Sequence, residues 1–140
     1  MTTNDTERAM PALTLRRWLR ANSAFSALSG SAMLVFSGSL PALLGIGVWW
    51  VYAAIGALLV LYAAHLWRVA GRLVDRAEIL AIVVGDAVWV LVSVVLLALG
   101  VLSSAGIWIV AGVALVIAVF AVMQWKGLAQ TERLRAPASP

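Results

Sequence analysis

The sequence predicts an all-α fold, a four-helix transmembrane bundle, and three observations predict it. Of the 140 residues, 64% are hydrophobic and 11% charged, with a mean hydropathy of +1.01, whereas a soluble domain carries about 25% charged residues. The apolar residues gather in four runs of roughly 20, the length a hydrocarbon core of about 30 Å requires of a helix. All ten Lys and Arg residues lie at or beyond the ends of those runs. In lipid a chain must satisfy its own backbone hydrogen bonds, and a helix does so within one segment.

The elements follow in order. Residues 1–12 are polar and mixed in charge, which predicts a short cytoplasmic tail without regular structure. A single membrane domain then occupies residues 13–128. Leu13, Leu15, Trp18 and Leu19 interleave with Arg16, Arg17 and Arg20, an amphipathic lead-in whose arginines can reach the headgroups while Trp18 sits at the interface. The first span is placed at about 21–40. Pro41 with Gly38, Gly45 and Gly47 marks the turn to a second span at about 48–69. A charged loop carrying Arg68, Arg72, Asp75, Arg76 and Glu78 precedes the third span, about 79–99. After residues 100–106 comes the fourth, about 107–125, and residues 129–140 form a second polar tail.

Orientation rests on the excess of Lys and Arg in cytoplasmic loops. Arg8, Arg16, Arg17, Arg20, Arg68, Arg72, Arg76, Lys126, Arg133 and Arg135 all fall on one side, and the two loops on the other side carry no charge. Both termini are therefore expected in the cytoplasm. Trp18, Trp67 and Trp125 lie near the basic side and Trp49, Trp50 and Trp108 near the other, as interfacial belts require. The first apolar run exceeds the 7 to 15 residues of a signal peptide, so it is read as a retained span.

Composition also excludes functions. The chain has no cysteine, so it offers no disulfide, thiolate metal site or thiol nucleophile. The formal charge of +4 and pI near 10.7 do not indicate nucleic acid binding, because the basic residues flank apolar runs instead of sharing a folded polar face. No glycine-rich phosphate loop with its lysine is present, and no serine in a strained turn with a base beside it.

A faint internal repeat is visible. Ala21 to Phe25 lies over Gly85 to Trp89 at an offset of 64, which also sets Ser29 over Ser93. Gly47-Val48-Trp49 lies over Gly106-Ile107-Trp108 at an offset of 59, which sets His65 over Gln124. Two repeated helical hairpins with parallel pseudo-twofold symmetry are the resulting expectation. Arg16, Arg17 and Arg20 opposite Leu80, Ala81 and Val84 count against it.

An ionisable residue inside a span costs about 2.5 to 3.5 kcal/mol on insertion scales and so marks a candidate site. Asp86 is the acidic one, eight residues or about 12 Å past Glu78. Asp86, Trp89, Val90 and Ser93 share a helix face. His65, the one histidine, is placed at the same end, and Asn22, His65, Asp86 and Gln124 are expected to form a polar intramembrane cluster with one member per helix. Two readings stay open: a proton-linked or ligand-binding site, since His titrates near neutrality, and interhelical glue. Nine of the twelve residues from Ala21 to Ala32 are Ala, Ser or Gly, so the first helix is expected to pack closely, with Ser29, Gly30 and Ser93, and with Ala53 and Ala57 as a further small pair. No metal site or cofactor is expected, since His65 lacks companion ligands. A lone axial His65 to haem or chlorophyll is the one cofactor geometry the residues leave open.

The stretches Leu19 to Gly30 (LRANSAFSALSG), Gly85 to Val90 (GDAVWV) and Leu102 to Val110 (LSSAGIWIV) resemble small four-helix bacterial inner-membrane proteins of unknown function. That resemblance spans most of the chain and implies a fold and a bacterial inner-membrane location, not an activity. Small multidrug resistance transporters use a glutamate in the first span, where this chain has Asn22, and their dual-topology members need nearly balanced charge, so the chain departs from them twice. The first functional expectation is a non-enzymatic accessory or structural subunit whose partners are the bilayer and another membrane protein or a second copy, not nucleic acid. The alternative is a small proton-linked carrier or channel working through Asp86 and His65.

Overall fold

In a computed structural model, which describes residues 3–72 and 75–135, the chain is all-helical. Its helices are α1 (Thr3–Val35), α2 (Leu40–Leu44), α3 (Trp49–Ala70), α4 (Arg76–Ala98) and α5 (Ser104–Arg135). Among the described residues three of them, α3, α4 and α5, are long and apolar enough to cross a membrane.

The expected first span is not among these three. Its stretch of α1 is rich in Ala, Ser and Gly where α3, α4 and α5 carry Leu, Ile and Val, so α1 has the length without the hydropathy. The helix also stops sooner than residue 40. It ends at Val35, residues 36–39 turn, and α2 restarts at Leu40. Ser37, Gly38 and Ser39 are weak helix formers, and Pro41 is tolerated only in the first turn of a helix, where its missing N–H costs nothing. Gly45 ends α2 in the left-handed region, φ 85°, a conformation that favours glycine.

Where irregular tails are expected, the outer helices continue: α1 begins at Thr3 and α5 runs to Arg135, with residues 1–2 and 136–140 outside the described residues. Adding good helix formers such as Ala129, Gln130 and Glu132 to an established helix avoids the cost of nucleation. Tertiary contacts hold the end of α5 as well. Leu128 and Thr131 are buried, and Arg76 Nε lies 3.0 Å from Glu132 Oε1.

The long helices pack in the order α3, α1, α5, α4, with the most extensive contact between α1 and α3. Gly30 and Gly56 make that contact. A Cβ added to Gly30 would lie 2.7 Å from the Gly56 carbonyl oxygen, and one added to Gly56 would lie 2.7 Å from that of Gly30, so only glycine at both positions lets the backbones approach this closely. On its other side α1 meets α5, where the Trp18 and Phe25 rings stand edge-on to Phe120 at 6.3 and 5.8 Å. At the basic end Leu15, Leu19, Leu66, Ile79 and Leu128 form one apolar cluster drawn from all four long helices. At the uncharged end the turns are pinned together: Ser103 donates from its N–H to the Leu44 carbonyl (2.9 Å) and from its hydroxyl to the Leu43 carbonyl (2.5 Å).

Polarity is distributed inside out. Large apolar side chains face outward, Leu28 at 72% exposure and Leu115 at 67%, whereas Asn22, Ser23, Ser26, Asp86, Ser93 and Gln124 are buried. In water that arrangement would expose a large continuous apolar surface. In lipid it leaves the apolar surface in an apolar solvent and gives the polar groups each other.

Candidate functional site

The site centres on Asp86, in the first half of α4. Its position follows from helix periodicity: Ile79, Ile82, Asp86 and Ser93 recur at spacings of three, four and seven, and all four are buried. The carboxylate accepts two hydrogen bonds. Asn22 of α1 donates from Nδ2 to Oδ2 at 2.7 Å, and Tyr62 of α3 donates its hydroxyl to Oδ1 at 3.0 Å. Asn22 is 1% exposed and Asp86 5%. Asn22 in turn accepts from Ser26 Oγ at 3.3 Å, one helical turn away. Ser23 adds a further link, donating to the Ala63 carbonyl at 2.7 Å. One carboxylate thus joins three helices through neutral donors, and among the described residues no Lys, Arg or His forms an ion pair with it.

The residues expected to cluster separate into three groups. Asn22 and Asp86 meet directly. Gln124 is fully buried on α5, with both side-chain polar atoms lacking a hydrogen-bond partner. It lies one turn from Phe120, whose ring touches Trp18 and Phe25 on either side of Asn22. His65 stands apart: its side chain is 49% exposed and its Nε2 is 3.9 Å from Glu78. The reason is register. His65 lies one turn closer to the basic end than Tyr62, and Glu78 two turns closer than Asp86, so α3 presents Tyr62 to Asp86 and His65 to Glu78.

Tyr62, Ser26 and Ser23 are the members that sequence reasoning missed. Tyr62 carries a readable sign, a phenol three residues before His65 on a mostly apolar span that also holds Tyr52 near its other end. Of the small residues expected at helix contacts, Gly30 lies at the α1–α3 crossing, Ser29 and Ala53 are half-buried, and Ala57 is exposed, its neighbour Gly56 taking the contact. Ser93 is buried and donates to the Trp89 carbonyl of its own helix at 2.9 Å.

Among the described residues no three His, Asp or Glu side chains converge as metal ligands would. The arrangement is able to hold a carboxylate inside an apolar protein by hydrogen bonding alone, and to tie α1 and α3 to α4 through it. No protein-family model, curated protein or solved structure matches the chain.

Proposed function

We propose that the chain is a four-span protein of the bacterial inner membrane, both termini cytoplasmic, acting as a non-enzymatic accessory subunit that packs against a partner membrane protein. The observation that carries this reading is the use made of Asp86: both carboxylate oxygens are engaged by Asn22 and Tyr62. Two shallow surface depressions lie away from it on α5, lined by residues such as Val119, Val122, Lys126 and Arg133. A carboxylate so engaged acts as an interhelical tie. The four-span count rests on α1 packing between α3 and α5 with its small residues, and the orientation on the basic end.

Two repeated hairpins, α1 with α3 and α4 with α5, fit this reading. Asn22 and Asp86, 64 residues apart, are equivalent positions and bond to each other. Such halves would have diverged, since the Gly30 and Gly56 contact has no glycine counterpart at Val94 and Leu115 and His65 is half-exposed where its counterpart Gln124 is buried.

Purified in mild detergent, the chain is expected to elute with a second protein in fixed stoichiometry, measured by light scattering and mass spectrometry. Elution as a 14.8 kDa monomer alone would remove this reading. The alternative, a proton-linked carrier, is favoured by one feature: Asp86 has neutral donors and no cationic partner among the described residues, so a proton is the simplest neutralising species. In proteoliposomes Asp86→Asn would then abolish proton uptake while leaving the fold intact, and unchanged uptake would exclude the carrier.

A further inference from the structure

We infer that the outward face of α5 binds an anionic phospholipid. The residues of α5 that point into the protein are Ala114, Ile117, Phe120, Gln124, Leu128 and Thr131. On the opposite face two shallow depressions follow one another along the helix. The first is wholly apolar and is lined by Ala118, Val119, Val122 and Met123. The second begins at Trp125 and continues past Lys126, Ala129 and Gln130 to Arg133. At 1.5 Å per residue the two extend about 22 Å, with the change from apolar to cationic roughly 10 Å along. One leaflet contributes about 15 Å of hydrocarbon, so the succession has the dimensions and polarity of a single phospholipid.

Charge complementarity selects an anionic lipid. Lys126 and Arg133 lie two turns apart on the same face, and among the described residues neither forms an ion pair, while the adjacent carboxylate, Glu132, points to α4 and is engaged by Arg76. Gln130 stands between the two cations as an additional donor, and Ala129 leaves the space beside it open. Trp125, half-exposed, occupies the boundary where an indole borders both acyl chain and headgroup. The phosphate is held by Lys126, Gln130 and Arg133, and one acyl chain lies along Ala118 to Met123. This site is independent of Asp86 and of the accessory role.

The test is native mass spectrometry of the full chain in detergent, titrated with dioleoyl phosphatidylglycerol, dioleoyl phosphatidylcholine, a dihexanoyl phosphatidylglycerol and inorganic phosphate. The expected result is one dioleoyl phosphatidylglycerol retained preferentially. Binding should weaken about thirtyfold in the K126Q/R133Q double variant, as two cations near a membrane surface imply, and change less than about twofold in R17Q/R68Q, which removes the same charge from α1 and α3. Equal retention of the phosphatidylcholine, or equal loss in both double variants, would overturn the site. Equal binding of the dihexanoyl lipid, or displacement by millimolar inorganic phosphate, would overturn the acyl-chain contact and with it the phospholipid site, leaving a phosphate site only.

Discussion

Asp86 tests whether a buried carboxylate is kept for its charge or for its hydrogen bonds. In Asp86→Asn the new side chain keeps one oxygen for the Tyr62 hydroxyl. Its nitrogen can donate to Asn22 if that amide turns over, and Asn22 then donates to Ser26 Oγ in place of accepting from it. The interhelical bonds survive, and the Ser26 hydroxyl, which loses Asn22 Oδ1 as its acceptor, can turn to the backbone carbonyl one turn back on its own helix. Thermal unfolding in detergent is therefore expected to leave Asp86→Asn within about 0.5 kcal/mol of the native chain, whereas Asp86→Ala strands Asn22 and Tyr62 and costs about 1 to 3 kcal/mol. Tyr62→Phe removes one interhelical bond, an effect of roughly 0.6 kcal/mol. His65→Gln should be nearly silent, since its half-exposed contact with Glu78 at 3.9 Å belongs to a class worth little.

Helix contacts depend on shape more than on polarity. The α1–α3 crossing tolerates no side chain at Gly30 or Gly56, because the obstacle in each case is the partner's backbone carbonyl, which is unable to rotate away as a side-chain tip would. Gly30→Leu is expected to lower stability by about 1 to 3 kcal/mol, as overpacking does. Gly85→Leu on α4, where an added Cβ meets nothing within 4 Å, should remain within about 0.5 kcal/mol. Unfolding in SDS, followed by circular dichroism, separates the two. Equal losses would mean that helix propensity and not contact is being measured.

The proposed placement across the membrane is directly measurable because the chain has no cysteine of its own. A single Ser39→Cys, at the uncharged end, is expected to react with a membrane-impermeant maleimide in cells whose inner membrane is intact. Ala77→Cys, at the exposed start of α4, should react only after that membrane is permeabilised. The reverse pattern would invert the orientation. The uncharged end should also be mechanically coupled: Ser103 bonds to the carbonyls of Leu43 and Leu44 and caps α5 by accepting from the Gly106 N–H at 2.9 Å. Ser103→Ala is expected to raise amide exchange in α2 and in the first turn of α5, with little change around Asp86.

Much of this protein was legible in the sequence because lipid imposes simple rules. Runs of about 20 apolar residues had to be helices, so the bounds of α3 and α4 follow closely from hydropathy, and Asp86 stood out as an acid where acids are costly. Helix periodicity also placed Asp86 and Ser93 on one buried face. Hydropathy was less informative for α1, whose small residues make it a poor match to lipid and a close match to α3. It misread the outer ends of α1 and α5, where polar composition predicts irregular tails and the chain is helical from Thr3 and to Arg135, the end of α5 being held by buried Leu128 and Thr131. Which polar groups meet is decided by register between helices, and register depends on where backbones come closest. Gly30 and Gly56 set that approach for α1 and α3, and with it Tyr62, not His65, reaches Asp86. Periodicity constrains the faces of one helix at a time, whereas the rotation and axial shift of helices against one another are set by side-chain packing, which only the assembled structure contains.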